Sequence, residues 1–567
     1  MGWSAGASRE EVTCFERGIQ LFGWGMAHNV ALEVATPMFA RAVVLDDGQT
    51  PVALVLVDIG IITLTIRRHA LALLREIAPE CPIHDDSILL TATHTHSGPS
   101  GISEYLFYGF SGPALSESIV MTYARGIARA IADAWASRVP ASVHVVEGDM
   151  PLSTPVAFNR SLAPYLQNEE VREQSLNAEE ATHRRMTQLR VDRAEDRSPI
   201  AVVSWFATHA TSVHSDKQAI HADNRGLAAL SFEEELRGRY GRDVVALFPQ
   251  EAAGDVTPNF RFDPKRKLVV GTESDDHESA LFVARALTDL ARSLFRQAED
   301  VAQEPAKLGS VLRYVHMPGR EVSALSPKGT PAHLGDAVIG LGFTEGTREG
   351  PGPLHPLHPL ARKLTRWMRQ GRGGKGRQFI ARHGNKIPFL ETGKGSDGTL
   401  VGLFSLKRPF LPGGVDPTVA TYKRYLRDGA LDDQPWSPTT LPYQALRIGS
   451  LGVVTIPGEP TTMAGRRLRE AVMEAAGPEG PSRVVVAGYS NDYTSYITTA
   501  EEYDEQWYEG ASTLFGRYTE LAMREIHREL SASLWLGRPL LMTNDPPPTF
   551  RSDLFSLRRF LSPSDNP

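Results

Sequence analysis

Hydrophobic and polar positions along this chain follow two periods in alternation. Residues 51–58 (PVALVLVD) and 87–93 (SILLTAT) are continuous apolar runs of strand length, as expected of strands buried on both faces. Between them, residues 64–77 have helical spacing. Residues 116–135 predict a long helix, with Ile119, Tyr123, Ile127, Ile131 and Trp135 on one stripe. The same patterns predict strands at 141–146, 200–206, 244–248, 312–316, 445–456 and 483–488. They predict further helices at 224–237, 274–297 and 462–475. A last helix over 514–535 carries Leu514, Tyr518, Leu521, Ile526, Leu530 and Leu534, with Ser512 or Thr513 as its cap. The fold class is therefore α/β (α+β): a mixed β-sheet core flanked by helices.

Two segments break the rhythm. Residues 346–360 (GTREGPGPLHPLHPL) and 391–398 are rich in Gly and should be loops, so that about 320–440 reads as an irregular insertion. After Pro546–Pro548 the chain turns polar and is expected to fray.

Composition narrows the function classes. The chain has 567 residues and a net charge of -7, which excludes nucleic acid as a general partner. A basic stretch, 362–386, reads as a solvated loop or as a contact with an anionic membrane surface. Two cysteines, Cys14 and Cys81, exclude a disulfide scaffold and fit free thiols in a reducing compartment. The first residues do not read as a signal peptide, so a cytoplasmic location is expected. No stretch approaches the ~18 uncharged apolar residues of a transmembrane span.

The chemistry gathers where predicted strands end. Thr93-His94-Thr95-His96 follows one buried strand directly, and residues i and i+2 of a strand share a face. Both imidazoles could meet one metal, or one could bind metal while the other handles protons. His209 (WFATHATS), the turn Gly254-Asp255-Val256-Thr257-Pro258-Asn259, Glu459 (PGEPTT) and the run from Ser490 (SNDYTSY) each follow another predicted strand. Singly these read as a core histidine, a plain turn and a helix-start acid. Together, two His and one Glu make a three-ligand site with an open position, which suits catalytic zinc. There is no Gly-x-Ser-x-Gly elbow, no Walker A loop and no His-Glu-x-x-His helix.

The segments GWGMAH, FARAVVLDD, THTHSGPSG, FNRSLAPYLQN, WFATHATS, DNRG, GDVTPN, PGEPTTMAGRRLR and SNDYTSYITTAEEYDEQWYEGAST occur in this order. In that order they resemble the neutral/alkaline (non-lysosomal) ceramidase family, over roughly residues 18–535. The resemblance implies Zn2+ held by His94, His209, Glu459 and Tyr496. It implies that His96, Arg160 and Tyr508 line the site, with His96 moving a proton and the other two stabilising an oxyanion or substrate hydroxyls. Thr257, where the family has Ser, is a candidate catalytic hydroxyl; its added methyl crowds the approach and favours water as attacker. Asp255, Asn259 and Gly98 are expected to bind substrate. Pro460 stands where the family has Phe.

The resemblance divides the chain into an N-terminal extension (1–17), a ceramidase-like catalytic domain (18–535) and a tail (536–567). The family's C-terminal immunoglobulin-like domain is not expected in so short a tail. The implied activity is hydrolysis of the amide bond of ceramide or a related N-acyl lipid, giving a fatty acid and an amine. Two other readings remain open from the residues: an amidohydrolase-type metal enzyme on a TIM barrel acting on a small polar amide, and a metal-retaining lipid-binding homologue without turnover.

Overall fold

Continuous apolar runs become buried strands, and amphipathic stretches become the helices that cover them. The computed structural model describes residues 2–26, 28–109, 115–325, 329–352, 379–393, 424–425, 427–429 and 435–558. Eight strands form the larger sheet: β1 (Trp3–Glu11), β2 (Phe39–Asp46), β3 (Val52–Val57), β4 (Ile88–Ala92), β5 (Val139–Asp149), β6 (Arg185–Arg193), β7 (Pro199–Trp205) and β8 (Val245–Leu247). Their order is β8-β7-β6-β5-β1-β2-β3-β4. The outer pairs β7/β8 and β3/β4 are parallel, and the inner pairs are antiparallel. A second sheet has the order β9 (Leu308–His316), β10 (Thr440–Ile448), β11 (Leu451–Thr455), β12 (Arg483–Ala487), with β11/β12 parallel.

The two sheets pack face to face. Trp3, Val43, Leu45 and Leu54 of the first meet Leu446, Val453 and Val485 of the second in one apolar layer. Helices α1 (Leu64–Ile77), α2 (Glu117–Ala136), α3 (Asp223–Tyr240) and α4 (Asp276–Gln297) cover the outer face of the large sheet. Helices α5 (Thr462–Ala476) and α6 (Thr519–Leu536) cover the small one. The result is four layers, helix–sheet–sheet–helix. Thr63, Ser116, Asp275 and Thr461 cap α1, α2, α4 and α5 through their side chains, which fixes where each helix starts. This largely antiparallel sandwich rules out a TIM barrel, which needs eight parallel strands.

Several expectations change. Residues 445–456 are not one strand: Gly449, at φ 62°, turns the chain between β10 and β11 and makes a hairpin. Ser512 and Thr513 do not cap the last helix. Tyr508–Ser512 is a short helix of its own, and α6 starts at Thr519. Residues 3–11, set apart as an extension, are the inner strand β1, held by Trp3 Nε1–H donating to Glu304 O at 2.9 Å. The tail does not fray before residue 558. Leu554 is buried, Phe550 meets the Tyr105 ring at 5.1 Å, and Arg558 Nη1 donates to Glu104 O at 2.6 Å.

Within the insertion, Val338–Gly340 pairs with Pro388–Glu391, and Glu321–Leu325 with Pro331–His333. Residues 353–378 and 394–398, which include most of the basic stretch and of the two loops, lie outside the described residues. At the end of that stretch Lys386 is buried, its ammonium on the carbonyls of Val338 and Thr513, so this end is not a solvated loop. Cys14 and Cys81 are not bonded to each other. Among the described residues, no helix is long and apolar enough to cross a membrane.

Candidate active site

The three parallel pairs of the two main sheets point their carboxyl ends at one place, as ligand sites in parallel sheets do. His94 follows β4, His209 follows β7, Glu459 follows β11, and Tyr489, Tyr493 and Tyr496 follow β12. A bridge between Thr91 and Ser490 joins the two sheets at this edge. The strand does not extend through the histidines: β4 ends at Ala92, and His94 takes φ 66°. The rings of His94 and His96 converge because the chain bends there, not because of strand alternation. A non-glycine residue at positive φ is strained, and Tyr489, Asn491 and Ser495 share that conformation on the facing loop.

The imidazole nitrogens of His94, His96 and His209 lie within 4.8 Å of one another, all buried. His94 Nδ1 is 2.6 Å from Gly60 O, and His209 Nδ1 is 2.9 Å from Val256 O. A carbonyl only accepts, so each Nδ1 carries the proton and each Nε2 turns a lone pair inward. Those lone pairs face the Glu459 carboxylate, at 3.4 Å from His94 Nε2 and 3.0 Å from His209 Nε2. His209 Nε2 is buried and makes no hydrogen bond. Acceptors buried against one another call for a cation among them. Burial opposes an imidazolium and pushes His94 down to about 4. The donor set of two imidazoles and a carboxylate, with a third imidazole beside them, therefore fits a metal such as zinc.

Glu459 is not a helix-start acid. The cap of α5 is Thr461, and the Glu459 side chain turns back to the histidines. Burial would raise its carboxyl, but the His94 and His209 imidazoles and the Tyr493 hydroxyl outweigh that and hold it low. Tyr493 donates to Oε1, and Tyr489 to Oε2 at 3.3 Å. Gly254 lies against this residue; a Cβ there would stand 2.5 Å from Glu459 O.

His96 differs from its neighbours. Its Nε2 is 3.1 Å from His94 Nε2, and its Nδ1 has no partner. Burial, then the two neighbouring imidazoles, lowers it well below the usual histidine range and keeps it neutral. Arg160 is the hub of the opposite wall. It donates to Glu509 (2.9 Å), Glu349 (2.7 Å), Gly254 O (2.9 Å) and the Tyr496 hydroxyl (3.0 Å). The Tyr496 and Tyr508 rings lie 5.3 Å apart. A cavity of about 240 Å³ opens on these groups; Phe22, Trp24, Phe107, Phe343 and Phe389 make its walls apolar.

His94, His96, Arg160, Glu459, Tyr496 and Tyr508 thus share one cavity, with His209 in the cluster beneath it. Thr257, Asp255, Asn259 and Gly98 do not line it. Thr257 Oγ1 donates to Glu349 at 2.5 Å, and Asn259 Nδ2 to the same carboxylate at 2.7 Å. Asp255 accepts from Thr462 and Asn159 and ties α5 to the loop at 159. Sequence reasoning missed Glu349, Glu509, Tyr489 and Tyr493. Glu349 sits in a Gly-rich stretch read as plain loop, and its being the one carboxylate of residues 346–360 was the available signal.

The comparisons with known proteins agree with this geometry. Residues 3–393 and 422–525 match the family described as neutral/alkaline non-lysosomal ceramidase, N-terminal. The neutral ceramidase of Pseudomonas aeruginosa is 29% identical over 538 residues, covering 93% of this chain and 72% of that protein. The neutral ceramidase of Mycobacterium tuberculosis is 27% identical, covering 96% and 79%. Among solved structures, a ceramidase complexed with C2 superposes with a TM-score of 0.79 at 26% identity, covering 97% of this chain and 77% of the other. The crystal structure of the Pseudomonas aeruginosa neutral ceramidase gives 0.76, also at 26% identity, covering 97% and 76%. In sequence, fold and the edge where its chemistry gathers, this chain belongs to the neutral/alkaline, non-lysosomal ceramidase family of amide hydrolases.

Proposed function

We propose that the protein is a zinc-dependent hydrolase that cleaves the amide bond of ceramide or a related N-acyl lipid, releasing a fatty acid and an amine. The observation that carries the metal is that His94 Nε2 and His209 Nε2 turn their lone pairs to the Glu459 carboxylate at 3.4 and 3.0 Å, with His209 Nε2 buried and without a hydrogen bond. His94, His209 and Glu459 would hold the ion, with Tyr496 completing the set. Zinc there supplies Lewis acidity, which makes water a nucleophile near neutral pH.

The remaining work falls to the chain. The aromatic walls bind apolar chains and exclude water, while the polar floor takes the amide. His96 lacks the carbonyl anchor of the other two histidines, is neutral, and has a free Nδ1. It takes a proton from the attacking water and returns it to the leaving amine. Arg160, anchored by two buried carboxylates, positions the Tyr496 hydroxyl and packs beside Tyr508. With Tyr496 given to the metal, the Tyr508 phenol and the Arg160 guanidinium are the donors for the oxyanion. Thr257, held by Glu349, positions that wall and does not attack.

The test compares a fluorescent short-chain ceramide with a soluble N-acyl amino acid, each with and without chelator. Chelator-sensitive cleavage of the ceramide supports the proposal. Cleavage of the amino acid alone would sink the lipid substrate, and full activity without metal would sink zinc.

A further inference from the structure

A second cavity, of about 520 Å³, adjoins the reaction cavity, and Arg160 and Glu349 form part of the wall of both. Phe158, Leu162, Leu166, Phe260, Val269 and Trp507 give it an apolar lining. Phe158 and Phe260 stack at 4.3 Å. Beside it stands a two-stranded hairpin, Arg261–Asp263 with Leu268–Val270. Its aromatic edge is exposed: Phe262 is 61%, Phe260 39% and the neighbouring Trp507 38% accessible, while Val270 on the second strand is buried. Phe260 and Phe262 are two residues apart in extended chain and share a face, and Phe262 is the cross-strand partner of Val269.

Charge follows the same edge. Arg261, Lys265, Lys267 and Arg348 are all exposed, and among the described residues no carboxylate pairs with any of them. Arg266 is different, because Asp216 and Asp276 neutralise it. Glu179, at the rim of the groove, and Asp263, on the hairpin itself, are opposing charges, fewer than the four cations. The hairpin is also tied to the reaction cavity: Val269 N–H donates to Arg348 O at 3.0 Å. Arg348 lines the groove, while its neighbours Thr347 and Gly350 line the reaction cavity and Glu349 lines both.

An exposed aromatic face ringed by unpaired cations fits an interface of hydrocarbon beneath anionic headgroups. We infer that this hairpin, with Phe260, Phe262 and Trp507, docks the enzyme on an anionic lipid surface and so sets the reaction cavity at the membrane that holds its substrate. The docking rests on the lipid-hydrolase reading only for its purpose; the surface chemistry stands without it.

Sedimentation with vesicles of phosphatidylcholine, alone or with phosphatidylglycerol, tests the inference on the full chain. Phe262→Ser and the pair Lys265→Glu/Lys267→Glu change exposed side chains outside the catalytic cavity, so hydrolysis of a dissolved short-chain ceramide should be unchanged. Binding to the anionic vesicles is expected to be at least ~10-fold tighter than to the neutral ones, and the double charge reversal should remove at least ~10-fold. Phe262→Ser should weaken both. Hydrolysis of ceramide embedded in anionic vesicles should fall in parallel. Variants that partition like the wild type overturn the docking surface, as does equal binding to both vesicle types. Vesicle binding that follows the variants, in a protein that cleaves neither form of substrate, supports the docking surface and overturns the proposed function instead.

Discussion

Glu459 and Tyr496 are Cα partners in a two-residue parallel bridge, formed just past the ends of β11 and β12. The pairing binds the loops after two neighbouring strands into one rigid edge, with a carboxylate and a phenol fixed side by side. Neither residue belongs to a regular strand of the main sheets. Continuing the β11–β12 register, which runs from Leu451–Arg483 to Thr455–Ala487, would set Glu459 opposite Asn491; the longer turn after β12 brings Tyr496 there instead.

Replacing Glu459 tests the metal directly. Glu459→Gln keeps the size and the bridge but swaps one carboxylate oxygen for an N–H donor aimed at two imidazole lone pairs. The expected outcome is metal content reduced more than ~100-fold in affinity, above the ~10–100-fold of an outer-shell loss, with activity lost in parallel. His94→Ala should do the same. Elemental analysis of purified protein checks both, and a variant that retains stoichiometric zinc contradicts the assignment.

Thr257→Val separates a hydroxyl nucleophile from water. The Thr257 hydroxyl is already committed to Glu349, which also receives Asn259 and Arg160. Removing it should cost about 1.5–3 kcal/mol of stability, as one hydrogen bond to a charged group, and leave kcat within ~10-fold of the wild type. Loss of turnover by several orders of magnitude, with the fold and metal intact, would restore Thr257 as attacker.

Stability should fall as the solution turns acid, and His527, which is outside the His94–His96–His209 cluster, makes the point. His527 is fully buried, with Nε2 on Thr455 O at 2.9 Å and Nδ1 unpaired. Burial pushes it down to about 4 from an ordinary value of 6.5. Between those values the unfolded chain binds a proton that the folded one refuses, so stability is full above about pH 6.5 and drains as pH falls toward 4. At pH 5 the loss is roughly 2 kcal/mol from this residue. Thermal unfolding of His527→Gln, compared with wild type at pH 7 and pH 5, should show a shallower loss; an equal slope would remove His527 as a cause.

Much of this was legible in the residues, for reasons that differ by element. Helix α1 reads at its observed bounds because Thr63 caps it and its apolar stripe is regular. The β10–β11 hairpin was hidden because the apolar run continues through it, and Gly449 and Ser450 were the only punctuation. The strand-end rule located His94, His209 and Glu459, because parallel strands must leave their polar residues at one edge. It could not locate Glu349, which arrives from a loop whose position depends on long-range packing against Arg160 and Thr257. Nor could it show that Asp255 faces α5 and not the cavity, since a Gly-Asp turn exposes its carboxylate to whichever element packs there.

The division of labour between the histidines yields a substitution that spares both. Gly23 has φ 97°, and an ideal Cβ on it would lie 2.4 Å from Cγ and 2.5 Å from Nδ1 of His96. No side chain fits without moving that imidazole, yet the anchors of His94 and His209 are the carbonyls of Gly60 and Val256, which Gly23 does not touch. Gly23→Ala should therefore displace His96 alone. If His96 moves the proton, kcat should drop ~10²-fold or more, the size of a lost general acid–base, while zinc content stays near that of the wild type. His96→Ala should match it, and the double variant should be no worse than either single one, because both remove the same function. If instead Gly23→Ala strips the metal, His96 is a ligand, and the proton must be moved by another group in the cavity.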